Sequence, residues 1–251
     1  MIPIHKDESD WAGMRAAGQL AAQCLDYLTP YVIPGVKTDT LDMLAREFIL
    51  EHNALPACLG YKGYTKTLCI SPNHVVCHGI PGDKILKEGD IANIDVTVIL
   101  DGWHGDTSRM YALGKINVKA QKLIDVTREC LELAIAQVKP GVPVTVIGQA
   151  IQDHAHAHGF SVVRDYVGHG VGRVFHDAPQ IFHYVPEQNP STTILEPGMF
   201  FTIEPMINAG KWPLKVLNDG WTAVTRDKSL SAQWEHSIGV TQTGCEVFTA
   251  S

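Results

Sequence analysis

The chain has 251 residues, 45% of them hydrophobic and 19% charged, with 20 Lys and Arg against 27 Asp and Glu for a net charge of −7. This length buries enough apolar surface to fold without disulfides or a structural metal, and the acidic balance excludes a general DNA or RNA binder. The opening MIPIHKDESDW has no apolar core and no apolar run reaches 18 residues, so neither a signal peptide nor a membrane span is expected.

A helix is predicted over residues 10–29, where Leu20, Cys24, Leu25 and Leu28 recur at a spacing of three to four and Pro30 follows. Pro34-Gly35 marks a turn, and a second helix is predicted over residues 39–52, capped by Thr38 or Asp39, with Leu41, Leu44, Ala45 and Phe48 on one face. Runs rich in β-formers occupy residues 90–100 and 103–113. Helices return over 119–138 and, after Pro140-Gly141, over 144–158. Further β runs cover 199–207, 232–241 and 246–249. Two helices followed by strands thus occur twice, dividing near residue 115. The grouping predicts an α+β fold in one domain, residues 1–251, with a duplication of elements but no visible sequence repeat.

The most informative stretch is NIDVTVILDGWHGDTSRM, residues 93–110. Asp101-Gly102 between alternating runs is a strong hairpin signal. A two-residue loop there sets Asp95 opposite Ser108 and Asp106 opposite Thr97, leaving both acids on one face as diagonal neighbours. That face is polar, with Asn93, Asp95 and Thr97 alternating with Ile94, Val96 and Val98. It is either a solvated outer face or a site. Thr202 and Glu204 share a face in a second run, and Gln233, Glu235 and Ser237 in a third. Four carboxylates buried together would take up protons unless cations offset them, and oxygen donors suit ions such as Mn, Fe(II) or Co.

Gly168-His169-Gly170-Val171-Gly172 offers a nitrogen donor on a backbone that can approach closely. It lacks the spacing of a phosphate loop. His176 and His78 are candidates for acid–base or substrate-orienting work. His154, His156 and His158 have the look of a metal tract, with His154 and His158 four apart. No acid accompanies them in an HExxH pattern, so an exposed helix end is the simpler reading. The six cysteines form no CxxC pair, which fits reduced thiols in the cytoplasm. Cys69 and Cys77 lack an evident base, so a packing or pocket role is expected.

The stretches 93–110, VGHGVGRVFHDAP (167–179), FTIEPM (201–206) and SAQWEHSI (231–238) resemble those of methionine aminopeptidases, and LGYKGYTKTLCISPNHVVCHGIP (59–81) extends the likeness over essentially the whole chain. Five ligand types recur in order: Asp, Asp, His, Glu, Glu. The resemblance implies the pita-bread fold, two pseudo-symmetric halves with an antiparallel sheet carrying the metals. The 31 positions from Glu204 to Glu235 leave no room for the long insertion of type II enzymes, and no Cys/His-rich extension opens the chain, so the minimal bacterial type I form is the match.

Carried over, the ligands of two divalent ions (Mn, Fe(II), Co or Zn) are Asp95, Asp106, His169, Glu204 and Glu235, with Asp106 and Glu235 bridging. The resemblance implies a metal-bridging hydroxide with Glu204 as the base. His78 and His176 contact substrate and the tetrahedral centre, and Tyr61, Tyr64, Cys69, Phe175 and Trp221 line the methionine pocket. Asn73, Val75 and Ser231 match a monovalent-cation site of some members, although His74 stands where an acid is common. Trp234 is larger than usual, and alternation points it away from the metals. The function implied is removal of the initiator methionine from nascent N-termini, with a small second residue, by a cytoplasmic monomer in transient contact with the ribosome. Two competing readings are a proline peptidase of the same fold, which usually carries an extra N-terminal domain, and a non-catalytic binding protein that has lost its ligands.

Overall fold

Helix α1 (Glu8–Leu28) and helix α2 (Thr38–Glu51) cover one face of a four-stranded antiparallel sheet in the computed structural model, which describes residues 2–188 and 190–251. Strand Ile91–Leu100 pairs along its whole length with Trp103–Ala112, and on its other edge with Leu68–Pro72 and Leu55–Pro56. Asp101 and Gly102 both take positive φ, 50° and 78°, the two-residue turn that suits the twist of the flanking strands. The pairing is as predicted: Asp95 lies opposite Ser108 and Thr97 opposite Asp106. Ile94, Val96 and Val98 point into a core shared with Leu20, Leu25, Leu41 and Ile49, which fixes the register because a slip of one residue would bury the acids there instead.

The second half repeats the plan. Helix α3 (Val118–Ala136) is capped by the Asn117 side chain, which accepts from the Ala120 N–H at 2.8 Å, and packs beside helix α4 (Thr145–Ala157). A five-stranded sheet runs in the order Cys245–Val247, His236–Val240, Phe200–Ile203, Gly168–Gly170, Asp177–Ile181. Phe201, Ile203, Ile238 and Val240 form a second core with Leu123, Ile147 and Ile151. Two three-stranded sheets complete the fold. Met206–Asn208 lies between Ser231–Gln233 and Ser161–Val162, and Ala223–Thr225 between Leu214–Val216 and Val75–Cys77.

Helix ends fall within two residues of expectation, but the cap of α2 differs. Lys37 occupies the cap position without a side-chain bond to the helix N–H groups, and the Thr38 hydroxyl donates instead to the Gly82 carbonyl at 3.0 Å. The run 199–207 is not one strand. It breaks at Glu204-Pro205, where proline has no N–H for the ladder and the Glu204 N–H donates to His183 Nε2 at 3.2 Å. The run 232–241 likewise breaks at Trp234 and Glu235, because the Glu235 N–H leaves the sheet to meet the Ser108 carbonyl at 3.2 Å. Both breaks fall at a carboxylate, so each acid stands at a junction between sheets. Among the described residues, no helix is long and apolar enough to cross a membrane.

Candidate metal centre and substrate pocket

The polar face of the hairpin is not solvated: Asn93, Thr97 and Asp106 are buried. The second half covers it, as the Thr107 hydroxyl donates to the Glu235 carbonyl at 2.7 Å, the Ser237 hydroxyl to the Asp106 carbonyl at 2.7 Å, and the Asn93 amide to the Gln233 carbonyl at 2.8 Å. This seam brings Asp95 and Asp106 to Glu204, Glu235 and His169. One ligand atom from each of Asp106, His169 and Glu235 lies within 4.8 Å of the others. His169 Nε2 stands 3.6 Å from Asp106 Oδ2 and 3.6 Å from Glu204 Oε1, too far for hydrogen bonds and suited to donors around a common ion.

Each donor is oriented by a neighbour. His169 Nδ1 donates to the Gly170 carbonyl at 3.0 Å, which leaves Nε2 as the free lone pair. The backbone there can be only glycine, since a Cβ on Gly170 would meet the Ala178 carbonyl oxygen at 2.1 Å. Thr97 Oγ1 donates to Asp106 Oδ1 at 2.7 Å, Thr202 Oγ1 to Glu204 Oε1 at 2.9 Å, and Gln233 Nε2 to Glu204 Oε2 at 3.2 Å. Asp95 Oδ1 is buried without any hydrogen-bond partner. Burial, reinforced by the Asp106 charge, holds the carboxyls of Asp95, Glu204 and Glu235 well above their usual range, and burial also raises Asp106. Four carboxylates and one imidazole, one carboxylate oxygen orphaned, form a donor set that divalent cations fit.

One cavity of about 300 Å³ is lined by all five of these residues and by His78, His176, Tyr61, Tyr64, Cys69, Phe175 and Trp221. The Tyr64 hydroxyl donates to the Leu68 and Gly79 carbonyls at 2.9 and 3.1 Å, so its polar end is satisfied, and its ring meets Trp221 edge-on at 5.0 Å. His78, in a left-handed conformation at φ 56°, sets its ring edge against Tyr166 at 5.0 Å. Burial and the nearby His169 push the His78 pKa down to about 4. His176 stands at the open mouth, its ring stacked at 5.1 Å on Tyr61 and 4.2 Å from the His169 ring. Crowding by these rings and the His169 charge hold its pKa below the usual value as well. Cys77 also lines the cavity, and burial pushes its thiol up, which fits a packing role rather than a nucleophile.

Several contributors escape a reading of the sequence. His183 is fully buried, accepts the Glu204 N–H through Nε2, and is pushed down to about 3 by burial and His169. Cys58 and Tyr166 line the cavity, and the Thr202 hydroxyl joins the His169 N–H, at 3.0 Å, to Glu204. Thr202 shares the face of Glu204 by alternation, as the sequence indicates, but His183, Cys58 and Tyr166 carry no local pattern, and only the touching of distant segments reveals them. Trp234 lies outside the cavity lining and packs on the second core. Asn73 and Ser231 come together, the Ser231 N–H donating to the Asn73 carbonyl at 2.8 Å, with Val75 two residues along. His74 is exposed beside them.

Residues 12–242 match the model of metallopeptidase family M24. The methionine aminopeptidase of Rickettsia prowazekii (strain Madrid E) is 57% identical over 251 residues, all of this chain and 96% of that protein. The methionine aminopeptidase of Escherichia coli (strain K12) is 54% identical over 246 residues, 97% of this chain and 92% of that one. A crystal structure of the Rickettsia prowazekii enzyme superposes with a TM-score of 0.96, covering 100% of both chains. The prolidase of Pyrococcus horikoshii OT3 shares the fold at a TM-score of 0.79 and 20% identity, and this chain covers 64% of it. The architecture is thus the α+β pita-bread fold, and the proline-peptidase reading is not favoured. The chain belongs to metallopeptidase family M24, on its methionine aminopeptidase branch.

Proposed function

We propose that the protein is a metal-dependent aminopeptidase, one catalytic domain that removes the initiator methionine from nascent chains with a small second residue. The observation that carries this reading is the apolar pocket opening directly onto the five-donor cluster. Asp95, Asp106, His169, Glu204 and Glu235 would hold two divalent ions, Asp106 and Glu235 serving both. Such ions lower the pKa of water and polarise the scissile carbonyl.

The chain's own residues supply the rest. Glu204, held by Thr202 and Gln233, takes the proton of the attacking water and passes a proton to the leaving amine. His78 and His176 are neutral at pH 7, so each offers an N–H to the substrate carbonyl and to the oxygen that gains charge as it becomes tetrahedral. Tyr61, Tyr64, Cys69, Phe175 and Trp221 receive the unbranched thioether side chain, which apolar and polarizable walls suit. Asn73, Val75 and Ser231 would serve a monovalent cation. A cytoplasmic monomer in transient contact with the ribosome completes the reading.

The test is release of methionine from Met-Ala-Ser after reconstitution with Mn, Fe(II), Co or Zn. Cleavage of Met-Ala-Ser, poor cleavage of Met-Lys or Met-Leu peptides and none of an N-acetylated peptide are expected. Cleavage of Ala-Pro or Gly-Pro peptides with Met-Ala-Ser left intact would replace this reading with a proline peptidase. No cleavage of any peptide by metal-loaded protein would leave a binding protein.

A further inference from the structure

The histidines at the end of α4 do have an acidic partner, and it comes from another helix. Glu129 of α3 reaches His154, its Oε2 2.7 Å from His154 Nε2. His154 and His158 lie four residues apart and so share one face of α4, their ring centroids 4.5 Å apart, while His156 points elsewhere and is exposed. One ligand atom from each of Glu129, His154 and His158 falls within 4.8 Å of the other two. None of the three lines the cavity of the buried centre.

We propose that Glu129, His154 and His158 form a separate binding site for a borderline divalent cation, of which Zn²⁺ is the representative. Three features carry it beyond proximity. His158 Nδ1 donates to the His154 carbonyl at 3.0 Å, which fixes the tautomer and leaves Nε2 unprotonated, the form in which imidazole ligates. Two imidazoles with one carboxylate match zinc, nickel or copper better than magnesium or calcium. The site opens to solvent, with the Glu129 side chain 47% exposed against 21% for His154, so water can complete a tetrahedral set. An ion entering there takes the place of the proton on His154 Nε2, which shifts to Nδ1 of the same neutral ring, and leaves the Glu129 carboxylate free to ligate.

The surrounding charges are mixed. Lys122 Nζ lies 3.4 Å from the His158 carbonyl, anchoring that backbone, and Asp125 lines the same groove. The ion would bind α3 to α4, so its occupancy is read as added thermal stability as well as an added equivalent of metal. The set differs from the buried centre in kind. That centre, rich in carboxylates, is open to Mn²⁺, whereas two imidazoles at the helix end select against it.

The test compares the intact enzyme with His154→Ala/His158→Ala and with Glu129→Gln, each titrated with Zn²⁺ and assayed for bound metal after gel filtration. The expected result is one equivalent of Zn²⁺ fewer in the histidine variant, loss of the Zn²⁺-dependent rise in melting temperature, and unchanged methionine release from Met-Ala-Ser. Glu129→Gln, a substitution on an exposed side chain, is expected to weaken the extra Zn²⁺ about tenfold or more, and it serves alone if the histidine variant does not fold. Mn²⁺ is expected to give no difference between the proteins. Equal Zn²⁺ content and equal melting shifts in all three proteins would overturn the proposal.

Discussion

Ser108 and Glu235 form a single antiparallel bridge, the Glu235 N–H donating to the Ser108 carbonyl at 3.2 Å, and through it the two halves share a boundary at the donor cluster. Ser108 lies opposite Asp95 on the hairpin, and the two residues before it are Asp106 and Thr107. The bridge therefore sets the distance between the acids of the first half and those of the second.

Thr107 tests this seam. Its buried hydroxyl donates to the Glu235 carbonyl at 2.7 Å. Thr107→Val keeps the shape and orphans that carbonyl, at a cost of about 1–3 kcal/mol. Denaturant unfolding is expected to show that loss, and a metal titration a weaker affinity, since Glu235 is then held at its N–H alone.

Glu204→Gln keeps the contact volume and removes the proton acceptor. Turnover is expected to fall by about 10²-fold or more with the Michaelis constant little changed. Metal content measured on the same samples separates a lost base from a lost ligand, and a near-normal rate with full metal would remove Glu204 from the role of base.

Chelation is expected to leave a folded, inactive protein, restored by Mn, Fe(II) or Co. The buried carboxyls have folded-state pKa values above their unfolded ones. Their contribution to metal-free stability is thus full below the ordinary carboxylate range, near 4, and is lost as the pH rises through the raised values. The melting-temperature gain on adding Mn²⁺ should accordingly grow as the pH rises toward neutrality. A gain independent of pH would contradict this electrostatic account.

His78 has the opposite sign. Its pKa is about 4 in the folded protein against 6.5 unfolded, so its contribution is present above pH 6.5 and is lost as the pH falls toward 4. Asn tolerates the left-handed backbone at this position. His78→Asn should therefore fold, lose turnover, and gain on the wild type by up to about 3 kcal/mol across that window, read by unfolding at several pH values.

Gly170→Ala is expected to disturb His169 directly. The added methyl would lie 2.1 Å from the Ala178 carbonyl oxygen, which is backbone and cannot swing aside. A stability loss of at least about 1–3 kcal/mol and a fall in bound metal should follow, while Gly141→Ala, with φ 84° and open space, should lose stability without losing metal.

The hairpin was legible because Asp101-Gly102 between two β-rich runs marks a two-residue loop, and the alternation over residues 93–98 agrees with the register that loop sets. The helices were legible from apolar spacing, and the five candidate donors from motifs that resemble those of methionine aminopeptidases. The many short strands were not, because runs of two to five residues hold too few alternations to show a period. The breaks at Glu204 and Glu235 were hidden for another reason. Each depends on a partner distant in sequence, His183 for one and Ser108 for the other, and no local pattern announces a long-range acceptor. Glu129 beside His154 is hidden for the same cause: helix packing brings it there, 25 positions away.

The two separate cores on either side of a polar seam also dictate an order of assembly. Asp95 and Glu235 are 140 positions apart, and joining points so distant costs on the order of 4 kcal/mol of chain entropy. The hairpin with α1, by contrast, closes over short spans and can form early. The seam is expected to zip last and to part first, its amides exchanging with solvent hydrogen sooner than those of Ile94 or Phe201. A cation gripped from both sides would act as a latch on that final step. Hydrogen exchange at Glu235, slowed by added Mn²⁺ more than exchange at either core, would be the mark of it.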